Sequence, residues 1–266
     1  MECQNTIKNL RINKHKTIGS IVIVVEGEED EFRLLKHIFT KILDYNYISM
    51  KRKKIMQHEF QSKTNKNCNV IVANTKSSSI KTITDENEYK DKLYNLLKTE
   101  FNKNLKNTRI YIIWDRDKDT KKDKTIQSYY KKAINTFTNS MDNNYEMNGI
   151  LLLSYPCHES YNLSNFDKRL YQYNYNTSDE CKKAFNSSKH YIKDINEQTL
   201  LVAVQNMHNS MLKYNIRNYD LDNFKRTNEI IYRKQEENFK NNKYFNALSL
   251  ISIMLIDLGI IEDYDN

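Results

Sequence analysis

Short β-branched and aliphatic runs recur through the first 165 residues, and stretches with helical apolar spacing separate several of them. The run in "IGSIVIVVEGEEDEF" (18–32) predicts a buried strand over 20–25. From Glu28 to Leu43, Phe32, Leu35, Ile38, Phe39 and Ile42 fall at helical spacing, and four acids at the start favour a helix N-terminus. "NVIVA" (69–73) predicts a second strand, with a further candidate near 54–60. Tyr89, Leu93, Leu96, Leu97, Phe101 and Leu105 mark a second helix. "RIYIIW" (109–114) and "GILLLS" (149–154) predict two more strands. Between them Tyr129, Tyr130, Ala133, Phe137 and Met141 mark a third helix. Strands alternating with helices imply an α/β fold with a parallel sheet and right-handed crossovers.

After about residue 165 the strand signal fades, and 178–191, 197–214, 220–240 and 243–258 read as helices. The expected organisation is therefore an α/β catalytic part over 1–165 and a helical region over 166–266, which would shape a substrate groove or dock a partner. Charge changes at the same place. The 14 basic and 14 acidic side chains of residues 164–266 cancel, so the whole net charge of +8 lies before residue 164. A basic front part suggests a polyanionic partner without proving one.

Composition removes several classes. With 4 Gly and 1 Pro the chain is neither collagen-like nor a Gly/Pro-rich disordered sequence. No run of about 18 apolar residues occurs, so no transmembrane helix is expected. The longest candidate, 248–261, carries Asp257. The first apolar run ends at Glu26, so no signal-peptide core is read, and a cytoplasmic location is expected. Cys3, Cys68, Cys157 and Cys181 form no CxxC pair, which argues against a zinc ribbon or a disulfide framework.

Two acidic sites follow predicted strands. One is Glu26, with Asp30 four residues on across a strand-to-helix turn; the other is the pair Asp115 and Asp117 in "IIWDRDKD". Ligands in open α/β sheets bind beyond the carboxyl ends of strands. Alternate residues of an extended segment point the same way, so Asp115 and Asp117 can converge. Carboxylates gathered at one spot repel unless a cation neutralises them, and an all-oxygen set suits Mg²⁺ or Mn²⁺. Such a site can hold a phosphodiester and polarise water. The competing reading is that polar loops commonly begin with acids.

"VVEGEEDE" (24–31) followed much later by "IIWDRDKD" (112–119) resembles the TOPRIM fold, over about residues 18–165. The resemblance implies a TOPRIM-like parallel sheet flanked by helices. It implies that Glu26, Asp115 and Asp117 bind metal, with Glu26 also moving a proton. Asp30 resembles the second acid of the nuclease branch. "LLLSYPCHESYNLSNF" (151–166) resembles the S-x-P-x-x-E segment of phage-defence nucleases, with Ser154, Pro156 and Glu159 at the matching places. Those relatives often carry Trp-Leu-Leu after the Glu, where this chain has Ser160-Tyr161-Asn162-Leu163, so the match is partial. By this resemblance Glu159 is a further catalytic or ligand-holding acid. The chain looks too short for a topoisomerase, and its cysteines do not support the zinc modules of primases or recombination mediators. The resemblance then implies a Mg-dependent nuclease cutting RNA, tRNA included, or DNA, of the OLD, RloB and AriB-like anti-phage kind. No G-x-x-x-x-G-K-[ST] is present, so any ATPase would be a separate subunit. A homodimer is also left open.

The alternatives are a non-catalytic nucleic-acid or partner-binding module and a metal-dependent phosphatase. The phosphatase reading is weaker, because its Asp-x-Asp belongs on the first strand. A calcium loop beginning at Asp115 fails at Thr120 and Ile126. Lys51, Arg52, Lys53, Lys54 and Lys121, Lys122, Lys124 are candidate phosphate contacts or solvated loops. Tyr171, Tyr173 and Tyr175 could stack on bases, although packing is the favoured reading. His158 is read as an ordinary polar histidine, and Cys157 as a small buried residue.

Overall fold

A computed structural model describes residues 10–27, 29–52, 56–74, 108–116, 124–141 and 149–263. Its strands are β1 (Leu10–Ile12), β2 (Ser20–Val25), β3 (Tyr45–Arg52), β4 (Met56–Ser62), β5 (Asn69–Asn74), β6 (Arg109–Asp115), β7 (Thr138–Asn139), β8 (Gly149–Tyr155), β9 (Asn174–Tyr175), β10 (Phe245–Asn246), β11 (Leu248–Ser249) and β12 (Ile261–Asp263). Its α-helices are α1 (Asp30–His37), α2 (Lys124–Thr136), α3 (Glu159–Ser164), α4 (Ser178–Ser187), α5 (Glu197–Lys213), α6 (Lys225–Asn242) and α7 (Ile251–Asp257).

The central sheet runs β11-β8-β6-β2-β5-β4-β3, with β7 also on β8. Its middle, β8-β6-β2-β5, is parallel. These strands are apolar at consecutive positions, from Ile21–Val25 to Ile150–Leu153, and are buried on both faces, as a helix-covered parallel sheet requires. The flanks β3, β4, β7 and β11 pair antiparallel. The molecule is thus α/β with a mixed sheet flanked by helices, which corrects the expectation of a parallel one.

Several predicted boundaries move. The first helix is α1 extended by a π-helix over Ile38–Ile42, whose Ile38, Phe39 and Ile42 pack into the core. The third ends at Thr136, because Thr138–Asn139 turns to pair with β8; Met141 lies beyond it and is exposed. The expected single helix over 243–258 is instead β10, β11 and α7. There Leu248 and Ser249 pair with Tyr155 and Ser154, and this backbone ladder replaces a helical turn. The stripe Ile251, Met254, Leu255, Leu258 and Ile261 is core, as expected by default. The helix expected near 89–105 lies outside the described residues.

One apolar cluster runs from Ile18 to Ile261. Buried polar ties fix its layers. Asn228 of α6 donates to the Leu151 carbonyl at 2.9 Å, and Asp257 of α7 accepts from Tyr111 at 2.6 Å. Among the described residues no helix is long and apolar enough to cross a membrane.

Candidate metal centre

Because β2, β6 and β8 are parallel, their carboxyl ends share one edge of the sheet. Glu26 follows β2, Asp115 ends β6, and His158 and Glu159 follow β8 after Pro156 and Cys157. The Glu26 carboxylate accepts the backbone N–H of Asp115 at 3.1 Å, which joins the first two exits directly.

The Asp115 backbone is fixed on every side. Its carbonyl accepts from the Tyr130 hydroxyl at 2.7 Å, and the next N–H, of Arg116, donates to the Ser154 carbonyl at 2.8 Å. The buried Arg116 guanidinium makes a two-pronged pair with Glu236 of α6, Nε to Oε1 at 2.8 Å and Nη2 to Oε2 at 3.1 Å. It also lies 4.7 Å from the Tyr130 ring centre and 5.6 Å from that of Phe245. Burial opposes its charge, but Glu236 more than offsets that and holds its pKa above the ordinary arginine value.

Two residues not assigned from sequence join the site. Glu31, in the first turn of α1, is buried and accepts the Gly27 N–H at 3.1 Å. A Cβ on Gly27 would stand 2.2 Å from Glu31 Oε2, so the glycine makes room for that carboxylate. Burial raises the Glu31 pKa; the charge of Asp115 adds to this, and His158 opposes it.

His158 stands between the carboxylates. Its Nδ1 lies 3.3 Å from Asp115 Oδ2 and 3.9 Å from Glu31 Oε1, and its Nε2 lies 3.4 Å from Glu159 Oε1. Burial works against the imidazolium, but the Asp115 hydrogen bond and the charges of Asp115, Glu31 and Glu159 push its pKa up to about 10. The expectation of an ordinary polar histidine is therefore corrected: its partners come from elements remote in sequence.

Glu159 is 6% exposed, and its Oε2 has no hydrogen-bond partner among the described residues. Asp30 is exposed at the start of α1 and pairs with Arg33 at 3.1 Å. Two donor sets result, Glu31–Asp115–His158 and Asp30–His158–Glu159, each with ligand atoms within 4.8 Å of one another. An orphaned buried carboxylate oxygen among several acids and one imidazole fits a divalent cation, which would satisfy the oxygen and offset the excess negative charge.

Of the residues read from sequence, Asp30, Asp115 and Glu159 enter these sets, and Glu26 braces Asp115. Asp117, Lys53, Lys54, Lys121 and Lys122 lie outside the described residues. Lys51 and Arg52 fall on β3, and Lys124 opens α2. Ser154 is not in the site; its hydroxyl meets Ser249 at 2.8 Å and ties β8 to β11. Cys157 is fully buried beside Leu163, Leu170 and Cys181. The Tyr171 carbonyl accepts Lys213 Nζ at 2.6 Å, and Tyr173 is exposed. A signal for Glu31 was present: counting back from Leu35, Ile38 and Ile42 puts it on the buried stripe of its helix. For His158 the signal was its place beside an acid at the exit of the fourth strand.

No family model, curated protein or solved structure matches the chain.

Proposed function

We propose that this chain is a metal-dependent nuclease that hydrolyses phosphodiester bonds in RNA or DNA. The observation carrying the reading is the meeting of Glu26 and Asp115 at one edge of the sheet, with Glu31, His158 and Glu159 within reach of Asp115 or of one another. With the order of the acidic motifs in sequence, it supports a TOPRIM-like centre. Glu26, Asp115 and Asp117 would hold Mg²⁺ or Mn²⁺, with Asp30 and Glu159 toward a second position. A divalent ion there supplies positive charge against the scissile phosphate and acidifies water. The Glu26 carboxylate moves a proton, and Arg116, Tyr130 and Glu236 hold Asp115 in place. Lys121, Lys122 and Lys124 are proposed phosphate contacts, with Lys51, Arg52, Lys53 and Lys54 as a second cluster; such contacts are salt-sensitive. An anti-phage role, with a separate ATPase as trigger, extends the proposal through the resemblance.

The test is a panel of plasmid, single-stranded DNA and total cellular RNA, each with Mg²⁺, Mn²⁺ and EDTA. Metal-dependent cutting should fall about a hundredfold or more in Asp115→Asn and Asp115→Ala. Equal rates in parent and variants would refute the site. A binding module without turnover is favoured by one observation, the placing of His158 3.3–3.9 Å from Asp115, Glu159 and Glu31, which gives these acids a partner without an ion. That module would hold nucleic acid equally well in chelator and cut nothing.

A further inference from the structure

We propose that His158 is a nitrogen ligand in the second cation position, formed with Asp30 and Glu159, and that this position takes a transition ion such as Mn²⁺ or Zn²⁺ in preference to Mg²⁺. The inference deepens the reading above and shares its premise of a cation centre, but it does not depend on nuclease turnover.

Three observations carry it. First, the two ring nitrogens of His158 have different tasks. Nδ1 is hydrogen-bonded to Asp115 Oδ2 at 3.3 Å, and Nε2 lies 3.4 Å from Oε1 of Glu159, a member of the other donor set. A histidine that gives one N–H to a carboxylate and turns the other nitrogen outward has the arrangement of a metal ligand, with tautomer and ring orientation fixed from behind. Second, Glu159 is 6% exposed, its Oε1 lies 3.4 Å from Nε2, and its Oε2 is without a hydrogen-bond partner among the described residues. A buried carboxylate oxygen left unmatched beside an imidazole nitrogen is the feature a bound cation would complete. Third, the remaining donor, Asp30, is exposed, so the position opens to solvent and leaves coordination places for water or a phosphate oxygen. Its pair with Arg33 is a surface contact worth little and easily exchanged for a metal bond.

Ligand chemistry sets the preference. Mg²⁺ favours oxygen donors and keeps its waters, whereas imidazole suits Zn²⁺ and its first-row neighbours. The position proposed above for Glu26, Asp115 and Asp117 would stay a Mg²⁺ or Mn²⁺ site, with His158 Nδ1 hydrogen-bonded to Asp115 and not to the ion. The two positions would therefore differ in kind.

The experiment uses the full chain stripped with EDTA and titrated with Mn²⁺, Zn²⁺ or Mg²⁺ alone. Calorimetry gives affinities, and electron spin-echo modulation on bound Mn²⁺ reports ligand nitrogen. The expected result is a ¹⁴N imidazole coupling that is absent in His158→Phe. Mn²⁺ and Zn²⁺ affinity should fall about tenfold or more in His158→Phe and in Asp30→Asn, with Mg²⁺ binding little changed. Asp30 is exposed, so Asp30→Asn tests the position even if His158→Phe does not fold. Bound Mn²⁺ without nitrogen coupling, or Asp30→Asn binding as tightly as the parent, would overturn the proposal. If Mg²⁺ supports cutting while no nitrogen coupling exists, the nuclease reading survives and this inference fails. Nitrogen-ligated Mn²⁺ with no cutting on any substrate would uphold this inference and overturn the nuclease reading.

Discussion

The exits of β6 and β8 lie side by side and are finished differently. At the β6 exit every contact closes within the protein: Asp115 N–H on Glu26, its carbonyl on Tyr130, Arg116 N–H on Ser154 and its guanidinium on Glu236. At the β8 exit His158 is shared among three carboxylates and Glu159 keeps a buried oxygen unmatched among the described residues. The backbone of the first is held by contacts within the protein; on the reading proposed above, the second leaves a buried oxygen for a bound cation to satisfy. Functional sites need both, a rigid support and a group whose satisfaction is deferred to the bound partner.

The sharpest way to break the contrast is at Glu236. Glu236→Ala strands a buried guanidinium and should cost about 3–5 kcal/mol in urea unfolding, with or without metal. The double change Arg116→Met with Glu236→Leu should cost much less. If Glu236→Ala is as stable as the parent, the β6 exit is not the scaffold described.

The next effect is on pH. His158 has a folded pKa of about 10 against an ordinary 6.5. Its stabilisation is therefore complete below pH 6.5 and lost as pH rises through about 10. Glu31, also raised, adds a loss of the same sign beginning above its ordinary 4.5. In chelator, denaturant stability should fall by on the order of a few kcal/mol from pH 6.5 to 10. His158→Phe should flatten that slope, and an unchanged slope would remove His158 as its cause.

A smaller effect separates the two exits by their need for a ligand. Glu159→Gln should change chelated stability by only about 1 kcal/mol, since it keeps the shape, replaces an oxygen with no partner among the described residues, and removes the least of the charges that favour the His158 imidazolium. The parent should gain about 2.7 kcal/mol at a hundredfold excess of Mn²⁺ over Kd, and the variant should lose most of that gain. A thermal scan with and without Mn²⁺ decides. Gly27→Ala is expected to have the smallest effect on stability, because the displaced atoms are the far end of the Glu31 side chain. It should nonetheless weaken Mn²⁺ binding by moving that carboxylate, which a binding titration would reveal.

The parallel strands were legible because a strand buried on both faces must be apolar at every position, and Ile21–Val25 or Ile150–Leu153 can be little else. β3, "YNYISMKR", mixes polar and basic residues along an edge and carries no such signal. The segment 243–258 hid its strands because Leu248 and Ser249 are strand only through their pairing with β8. In the site, Glu26 and Asp115 were legible from their places at strand ends, and Glu159 through the resemblance of its segment. His158 was not, since Asp115 lies 43 residues away and the contact belongs to the fold rather than to any local pattern.

The Arg116–Glu236 pair also has a consequence for order in time. The two residues are 120 apart, so on the ribosome the arginine emerges long before its counter-ion. Until residues 232–245 follow, the rings of Tyr232 and Phe245, 6.0 and 5.6 Å from the guanidinium, are missing as well, while the Asp115 backbone can already be held by Glu26, Tyr130 and Ser154. Synthesis from N- to C-terminus thus makes the charge balance behind the β6 exit one of the last things to form, and a prematurely released chain would bury Arg116 without its counter-ion.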